Sequence, residues 1–202
     1  MITTPQNEWD KRYSEAEYVY GTVPNLFFAD FLEKQKKTGK ILLPAEGEGR
    51  NAVYAAKMGW QTDAFDFSET ARQKALALAL KNNVTINYSI DSFENVVLSP
   101  QIYNVIAIIY NHMPNKTLEI MVQKYYDALK SGGSLIMEAF AKEQIKNFTG
   151  GPKIIDLLYD VPQIQHAFHL FKITSLEQKS IEIYEGKLHS GMAEVIRLVA
   201  TK

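Results

Sequence analysis

From residue 40 onward, short apolar runs alternate with longer runs in which apolar residues recur every three or four positions. The short runs are predicted strands: KILLP (40–44), WQTDAFDF (60–67), VTINYSI (84–90), IYNVIAIIY (102–110) and SLIMEAF (134–140). The longer runs predict helices over about 50–58, 69–82 and 116–129, the first stopped by Gly59 and the last closed by a turn at Gly132 and Gly133. This alternation is typical of parallel βαβ units.

The last third of the chain has a different pattern. After GGPK (150–153) and a short predicted helix over 162–167, two long alternating runs, 171–184 and 191–202, flank the turn-rich EGKLHSG. They predict an antiparallel hairpin. The predicted fold class is therefore α/β: a Rossmann-like, seven-stranded, mostly parallel sheet with a C-terminal antiparallel hairpin and helices on both faces.

The length of 202 residues fits one domain. We predict a lid or cap over one sheet edge from residues 1–39, ligand-binding βα units over 40–140, and a loop, short helix and hairpin over 141–202. No repeat or low-complexity segment interrupts this plan.

Composition excludes several function classes. The formal charge is -1, from 22 Lys+Arg and 23 Asp+Glu, so the balance offers no basic face for nucleic acid. The absence of cysteine excludes disulfides, thiolate metal sites and a cysteine nucleophile, and no pair of histidines has metal-site spacing. The N-terminus lacks signal-peptide features, and the longest apolar run is too short for a bilayer. We expect a cytoplasmic protein without membrane, nucleic-acid or metal partners, and its oligomeric state is left open.

A glycine turn follows the first predicted strand. Gly47, Gly49 and Ala52 fit G-x-G-x-x-A between a strand and a helix, where backbone N–H groups and the positive helix end favour a nucleotide-like ligand. The alternative is a glycine-rich start of a helix with no ligand. Asp66, 17 residues beyond Gly49, is placed to accept from a ribose diol, or serves as an acid beside the N-cap Ser68.

Polar or aromatic residues follow four consecutive predicted strands: Glu46, Asp66, Asp91 and Tyr110. Ligands of doubly wound sheets lie across these carboxyl ends. Asp91 is suited to accept from an adenine amino group, with Phe93 offering an apolar face to the ring. The sequence therefore predicts a site for an adenosine-containing cofactor.

Two classes of cofactor bind to folds that begin with this pattern of strands, glycine turn and acids. They are the dinucleotides of NAD(P)-dependent oxidoreductases and S-adenosylmethionine (SAM). The C-terminal hairpin favours a SAM-dependent methyltransferase, because dinucleotide-binding sheets usually continue parallel. The chain is also short for a dehydrogenase with a separate substrate region.

The sequence resembles small class I SAM-dependent methyltransferases of the tellurite-resistance and thiopurine methyltransferase-like group. The resemblance covers nearly the whole chain, through WDKRY (9–13), YVYGTVPN (18–25), EGEGRNAVYAAKMGW (46–60), DFSETARQKA (66–75), LKSGGSLIMEAF (129–140), GGPK (150–153) and EGKLHSGMAEVIRLVATK (185–202). It implies that the glycine turn faces the methionyl part of SAM, that Asp66 binds the ribose, and that Asp91 with Phe93 binds the adenine. It also implies that WDKRY and YVYG close over the cofactor. The predicted cofactor-binding set is Trp9, Arg12, Tyr18, Glu46, Gly47, Gly49, Arg50, Asp66, Phe67, Ser68, Asp91, Ser92, Phe93 and Tyr110.

The first turn departs from the family pattern D-L-G-C-G, since the aligned residues 43–47 read LPAEG. Leu43 stands in place of the acid and Ala45 in place of the first glycine. Either Glu46 supplies the missing carboxylate toward the SAM ammonium from a shifted position, or cofactor binding is weaker.

Methyl transfer from a sulfonium needs orientation and exclusion of water more than a strong base. We predict a small-molecule acceptor, a thiol or a soft metalloid oxyanion such as tellurite, which attacks without a protein nucleophile. Acceptor-side candidates are Tyr20, Tyr110, His112 and His189, with tyrosines also able to contact the sulfonium by cation–π interaction.

Each candidate has a plainer alternative. Tyr18 and Tyr20 either line the ligand site or staple the N-terminal segment to the core, and His112 is either an acceptor-side group or a surface histidine. Arg50 either pairs with the SAM carboxylate or makes a salt bridge on the first helix. A further alternative for the whole protein is non-catalytic SAM binding.

Overall fold

The computed structural model describes residues 5–202, so residues 1–4 of the predicted lid lie outside the described residues. The helices are α1 Pro5–Tyr13, α2 Leu26–Glu33, α3 Arg50–Lys57, α4 Glu69–Lys81, α5 Asn115–Ala128 and α6 Val161–Ala167. The strands are β1 Lys40–Pro44, β2 Gln61–Asp66, β3 Asn87–Ile90, β4 Tyr103–Ile109, β5 Leu129–Phe140, β6 Lys172–Tyr184 and β7 Ser190–Thr201. Two 3₁₀ turns cover Lys142–Lys146 and Ile155–Leu157.

The seven strands form a sheet in the order β3-β2-β1-β4-β5-β7-β6. Strand β2 runs parallel to β1 and β3, and β4 runs parallel to β5. Strand β7 pairs antiparallel with both β5 and β6. The predicted fold class, including the C-terminal antiparallel hairpin, is confirmed.

The chain divides into two compact units. Unit 1 contains the described residues up to Asn95 together with Glu185–Leu188, and unit 2 contains Val96–Tyr184 together with His189–Lys202. Unit 1 holds α1–α4 and β1–β3, and unit 2 holds the other helices and strands. The single-domain organisation over 1–202 stays a prediction.

Local sequence signals explain the helices of unit 1. Ser68 is the N-cap of α4, because its Oγ accepts from the backbone N–H of Ala71 at 3.0 Å. Gly59, with a φ of 86°, ends α3 in the left-handed conformation as predicted. Gly49 begins α3 with a φ of 88°, and a Cβ added there would lie 2.6 Å from the Cβ of Ala75. Glycine at position 49 therefore lets α3 approach α4 closely.

One prediction of local structure is wrong. Strand β5 begins at Leu129, so Gly132 and Gly133, predicted to form a turn, lie within the strand. Backbone hydrogen bonds of 3.0 Å link both glycines to Lys202, which extends the pairing with the end of the chain. In the N-terminal segment α1 packs on α4 and α2 packs on α3. The cap over a sheet edge stays a prediction.

Candidate active site

The turn after β1 adopts left-handed backbone conformations at Ala45, Gly47 and Gly49, with φ of 45°, 62° and 88°. Tyr88 donates its hydroxyl to the carbonyl of Gly47 at 2.6 Å. A Cβ on Gly47 would lie 2.8 Å from the hydroxyl of Tyr13. Two buried tyrosines, neither of them predicted as site residues, therefore enclose the glycine turn.

Glu46 caps the helix that follows the turn. Its Oε1 accepts from the backbone N–H of Ala52 at 2.7 Å, in the first turn of α3, where Gly49 has no side chain to do so. Burial raises the pKa of Glu46 to about 7, against the lowering effect of that N–H and of Arg50. A protein carboxylate thus occupies the positive end of α3.

Asp66 lies buried at the end of β2. Its Oδ2 accepts from Gly47 N at 3.1 Å and its Oδ1 from Ser68 N at 2.9 Å. Burial raises the pKa of Asp66 to about 6, although these two N–H groups lower it. Asp66 therefore has the structural role predicted as the alternative, an acid beside the N-cap Ser68. Each of its oxygens can still accept a second hydrogen bond from a ligand hydroxyl.

The residues predicted to bind adenine, Asp91 and Phe93, follow strand β3 and begin next to Asp66. The backbone N–H of Asp91 donates to the carbonyl of Asp66 at 3.0 Å, so the ends of β2 and β3 lie together. Asp91, Ser92 and Phe93 are half-buried. The ring of Phe93 meets that of Phe65 edge-on, with centroids 6.1 Å apart.

Within unit 1, an ion pair that the sequence did not predict holds the N-terminal segment to α4. Lys74 Nζ lies 2.5 Å from Glu48 Oε1 and donates to the carbonyls of Glu15 at 2.8 Å and Glu17 at 2.6 Å. Glu48 Oε2 accepts from Val19 N at 2.7 Å. We refer to Lys74, Glu48 and these backbone groups as the Lys74 clamp.

Arg50 and Asn51 extend this anchoring. Arg50 makes a buried ion pair of 2.8 Å with Glu185, so its salt bridge reaches the connector of the hairpin and not its own helix. Asn51 Oδ1 accepts from the backbone N–H of Asn25 at 2.9 Å, and Asn25 donates its side chain to Glu185 at 2.9 Å. The side chains of the GEGRN motif thus hold residues 19–25.

The predicted lid residues form a small aromatic cluster. Trp9 and Tyr20 pack against buried Tyr13, Val19 and Ala71. The guanidinium of Arg12 lies 4.3 Å from the centroid of the Trp9 ring and donates to the Tyr20 hydroxyl at 3.0 Å.

Further contacts tie this lid to α4 and to the turn before it. Tyr18 donates its hydroxyl to the carbonyl of Lys74 at 3.1 Å, and this hydrogen bond attaches the N-terminal segment to α4. The carbonyl of Phe67 accepts from the side chain of Gln6 at 2.9 Å. The carboxylate of Asp10, which is not among the predicted site residues, accepts from Ser68 Oγ at 2.5 Å.

Unit 2 contains an aromatic cluster of Tyr110, Phe140 and His189. The rings of Tyr110 and Phe140 stack with centroids 4.6 Å apart, and His189 meets them edge-on at 4.9 and 5.3 Å. Tyr110 has a φ of 52°, a conformation rare for a side chain of its size. Such strain is characteristic of functional positions. Phe140 was missed, although it ends the predicted fifth strand.

His112 uses both ring nitrogens inside unit 2. Its Nδ1 lies 2.7 Å from the carbonyl of Leu157, to which it donates, and its Nε2 accepts from Phe140 N at 3.4 Å. Burial lowers its pKa to about 4, so the ring is neutral at pH 7. It also stacks between Phe140 and Tyr159, with centroids 5.6 and 5.5 Å away. These contacts make His112 a packed residue of the fold and not the surface histidine of the plainer alternative.

Within residues 5–202, no group of three or more potential metal ligands lies together. None of the helices that the structure describes is long and apolar enough to cross a membrane.

Comparisons with known proteins agree with this geometry. Residues 41–133 match the family model described as a methyltransferase domain. No curated protein matches the sequence.

Solved structures that are similar to the chain include the following three. A protein studied in the conversion of a disulfide bond into a thioacetal group during echinomycin biosynthesis has a TM-score of 0.83 at 10% identity, over 98% of this chain and 92% of its own. TehB from Haemophilus influenzae has a TM-score of 0.73 at 13% identity, over 98% of this chain and 66% of its own. Phosphoethanolamine N-methyltransferase 2 from Haemonchus contortus, in complex with SAM, has a TM-score of 0.71 at 14% identity, over 96% of this chain and 57% of its own.

At these identities the structural likenesses establish the fold alone. The predicted fold, enzyme class and cofactor are confirmed. The match to the methyltransferase domain extends over residues 41–133, somewhat less than half of the chain.

Proposed function

We propose that the protein transfers a methyl group from SAM to a small, soft nucleophile, a thiol or a metalloid oxyanion such as tellurite. The observation that carries the cofactor assignment is the pair of buried carboxyl groups at the glycine turn, Glu46 and Asp66. A positively charged ligand suits this turn.

The glycine turn is also poorly suited to bind a dinucleotide. Pyrophosphate binding in dinucleotide folds uses the free N–H groups at the start of the helix after the glycines. Here Glu46 accepts from Ala52 N at 2.7 Å in the first turn of that helix. A pyrophosphate would have to displace the Glu46 carboxyl group from this N–H. This argues against the NAD(P)-dependent alternative.

The residues of unit 1 fit SAM. The carboxyl groups of Glu46 and Asp66 have pKa values raised by burial, and a sulfonium and ammonium nearby would favour their ionised forms. We assign Glu46 to the ammonium, Asp66 to the ribose, Asp91 and Phe93 to the adenine, and Arg12 to the cofactor carboxylate. Arg50, paired with Glu185, is assigned to anchoring the lid.

When bound, SAM supplies an activated methyl group on a positively charged sulfur. The protein's own residues then orient the cofactor, exclude water through the lid held by the Lys74 clamp, and place the acceptor. A metalloid oxyanion attacks the methyl group with its own lone pair, and a thiol attacks as its thiolate after losing its proton to solvent, so no side chain has to act as a strong base.

In unit 2 we assign acceptor-side roles to Tyr110 and His189, with Phe140 supporting both rings. An aromatic cluster suits a soft, weakly hydrated acceptor better than a strongly hydrated amine. His112, whose ring is neutral and fully hydrogen-bonded, is assigned to positioning Phe140. Tyr20, which receives a hydrogen bond from Arg12, is assigned to the lid side of the site.

Two similar structures support a sulfur or metalloid acceptor. One takes part in the conversion of a disulfide into a thioacetal, and another is TehB, a name consistent with the tellurite-resistance resemblance of the sequence. The cytoplasmic location and the absence of nucleic-acid partners remain predictions of the sequence.

Calorimetric titration with SAM and S-adenosylhomocysteine tests the cofactor assignment. We expect dissociation constants in the micromolar range for both and no heat with NAD(H). Asp66→Ala should abolish most of the SAM binding, whereas Asp63→Ala, at the other end of β2, should not. Absence of heat with either ligand, on folded protein, would refute the proposal.

A panel of acceptors tests the reaction. We expect S-adenosylhomocysteine to form with thiols or with tellurite and selenite, and not with amines. SAM binding without turnover on any acceptor of the panel would favour the non-catalytic alternative.

A further inference from the structure

Strand β6, Lys172–Tyr184, ends the sheet and pairs on one side with β7. At 13 residues it is long for an edge strand, and most of its side chains are exposed. The other side of β6 offers a row of backbone N–H and C=O groups, since no second strand of residues 5–202 pairs with it. Edges of this length usually carry features that prevent pairing with another chain.

Charged side chains near the middle of β6 are the relevant feature. Glu177 and Lys179 lie on one face, with Lys179 Nζ 3.4 Å from Glu177 Oε1. Their side chains are 49% and 39% exposed. Gln178, between them, points to the other face, where it donates to Glu143 of its own unit at 2.8 Å.

We propose that a second copy of this chain pairs antiparallel with β6 about a two-fold axis at Gln178, so that the two sheets become continuous. In this register Glu177 of each copy lies opposite Lys179 of the other. A two-fold axis perpendicular to the sheet keeps the faces in common, so both charge pairs form on the same face. Leu176 then lies opposite Ser180 of the second copy.

The charges select this register over its neighbours. Centring the axis on Glu177 places glutamate opposite glutamate, and centring it on Lys179 places lysine opposite lysine. Like charges directly opposite each other destabilise a strand pair, and unlike charges stabilise it. Charged residues on an edge strand usually prevent it from pairing with another chain. Here Glu177 and Lys179 allow one antiparallel register with a second copy, the one centred on Gln178.

The segment available for pairing is limited at its start. The β6–β7 register shifts between Ile173 and Ser175, which marks a bulge. Ser175–Ile181 is the regular stretch centred on Gln178. A short pairing of this kind predicts a reversible dimer with a dissociation constant in the micromolar range, on the order of that for small transient interfaces.

Sedimentation velocity over a range of concentrations tests the proposal on the full chain. We expect the wild type to pass from monomer to dimer as concentration rises. Glu177→Lys and Lys179→Glu should each raise the dissociation constant by about 30-fold or more, because two attractive pairs become two repulsive ones. Glu182→Lys makes the same charge change at a position opposite Thr174 and should leave the dimer nearly unchanged.

Mixing the two single variants gives the decisive measurement. A copy with Glu177→Lys pairs favourably with a copy with Lys179→Glu, so an equimolar mixture should form a heterodimer, and the double exchange in one chain should restore the homodimer. Circular dichroism confirms that each variant is folded. A wild type that stays monomeric, a Glu177→Lys variant as dimeric as the wild type, or a mixture that stays monomeric would each overturn the proposal.

Discussion

At the scale of single residues, Glu46 has a structural role in the glycine turn and a proposed role in binding the cofactor. It caps α3 in place of the side chain that Gly49 lacks, and it brings a carboxylate to a turn in which Leu43 occupies the position of the usual acid. The cap holds the carboxylate in one orientation. This arrangement explains how the turn remains acidic without an acid at the end of β1.

The raised pKa of Glu46 makes SAM affinity depend on pH. With a pKa of about 7, Glu46 is mostly neutral at pH 6 and mostly ionised at pH 8. Because the proposed partner is an ammonium, we expect SAM to bind more tightly at pH 8 than at pH 6. Calorimetry at both values measures the difference.

Glu46→Gln provides the control for this prediction, because the amide still accepts from Ala52 N but does not titrate. The variant should bind SAM with a weaker and nearly pH-independent affinity. An unchanged pH dependence in Glu46→Gln would assign the titration to another group.

At the scale of secondary-structure elements, the sequence located most helices and strands, because caps and periodicity act locally. Ser68 at the start of α4 and Gly59 at the end of α3 are examples. The Lys74 clamp and the Arg50–Glu185 pair were not predictable, because they join residues far apart in the sequence through long side chains with no motif of their own. The turn predicted at Gly132 failed for a related reason, since pairing with Lys202 at the chain end overrides the local glycine signal.

Gly49 tests the packing of α3 on α4. Gly49→Ala adds a Cβ that would lie 2.6 Å from Ala75 Cβ and 2.8 Å from its Cα, at a φ of 88°. We expect the free energy of unfolding to fall by about 3 kcal/mol, combining backbone strain with overpacking. Urea denaturation measures it.

Gly132→Ala is the matched control, because Gly132 has a similar φ of 75° and open space around the added Cβ. It should lose only the strain contribution, about 1 kcal/mol. Equal losses in both variants would show that contact with α4 is not the reason for glycine at position 49.

The Lys74 clamp tests how the lid affects the cofactor. Lys74→Met removes the ion pair with Glu48 and the hydrogen bonds to residues 15 and 17, so the attachment of the lid to α4 is weakened. We expect the KM for SAM to rise about tenfold, which corresponds to about 1.4 kcal/mol, with kcat at saturating SAM little changed. Steady-state kinetics separate the two parameters.

Lys81→Met, an exposed change on the same helix, controls for the loss of positive charge. Hydrogen exchange gives a second readout, since the backbone amides of residues 14–20 should exchange faster in Lys74→Met while those of β1 and β2 keep their protection. A fall in kcat with an unchanged KM would contradict a role in holding the lid.

At the scale of the whole molecule, the two raised carboxyl pKa values link folding to pH. Glu46 rises from 4.5 to about 7 and Asp66 from 3.8 to about 6. At a pH between the unfolded-state pKa and the folded-state pKa of either group, the folded protein binds more protons than the unfolded chain. The contribution of these groups to stability is therefore fully present at low pH and decreases as pH rises through about 4 to 7.

Without ligand, this contribution to the free energy of unfolding should thus be smaller at pH 7.5 than at pH 5.5, the opposite of the trend for a carboxylate held by a salt bridge. Saturating SAM should reverse part of the loss at pH 7.5, because binding to the folded state alone stabilises it by about 2.7 kcal/mol at 100 times the dissociation constant. Urea denaturation of the wild type and Glu46→Gln at both pH values, with and without SAM, isolates the effect. The difference in the free energy of unfolding between wild type and variant should shrink when SAM is present, because a bound cation removes the penalty of ionising Glu46. A difference that does not depend on SAM would place the cofactor's positive groups away from this turn.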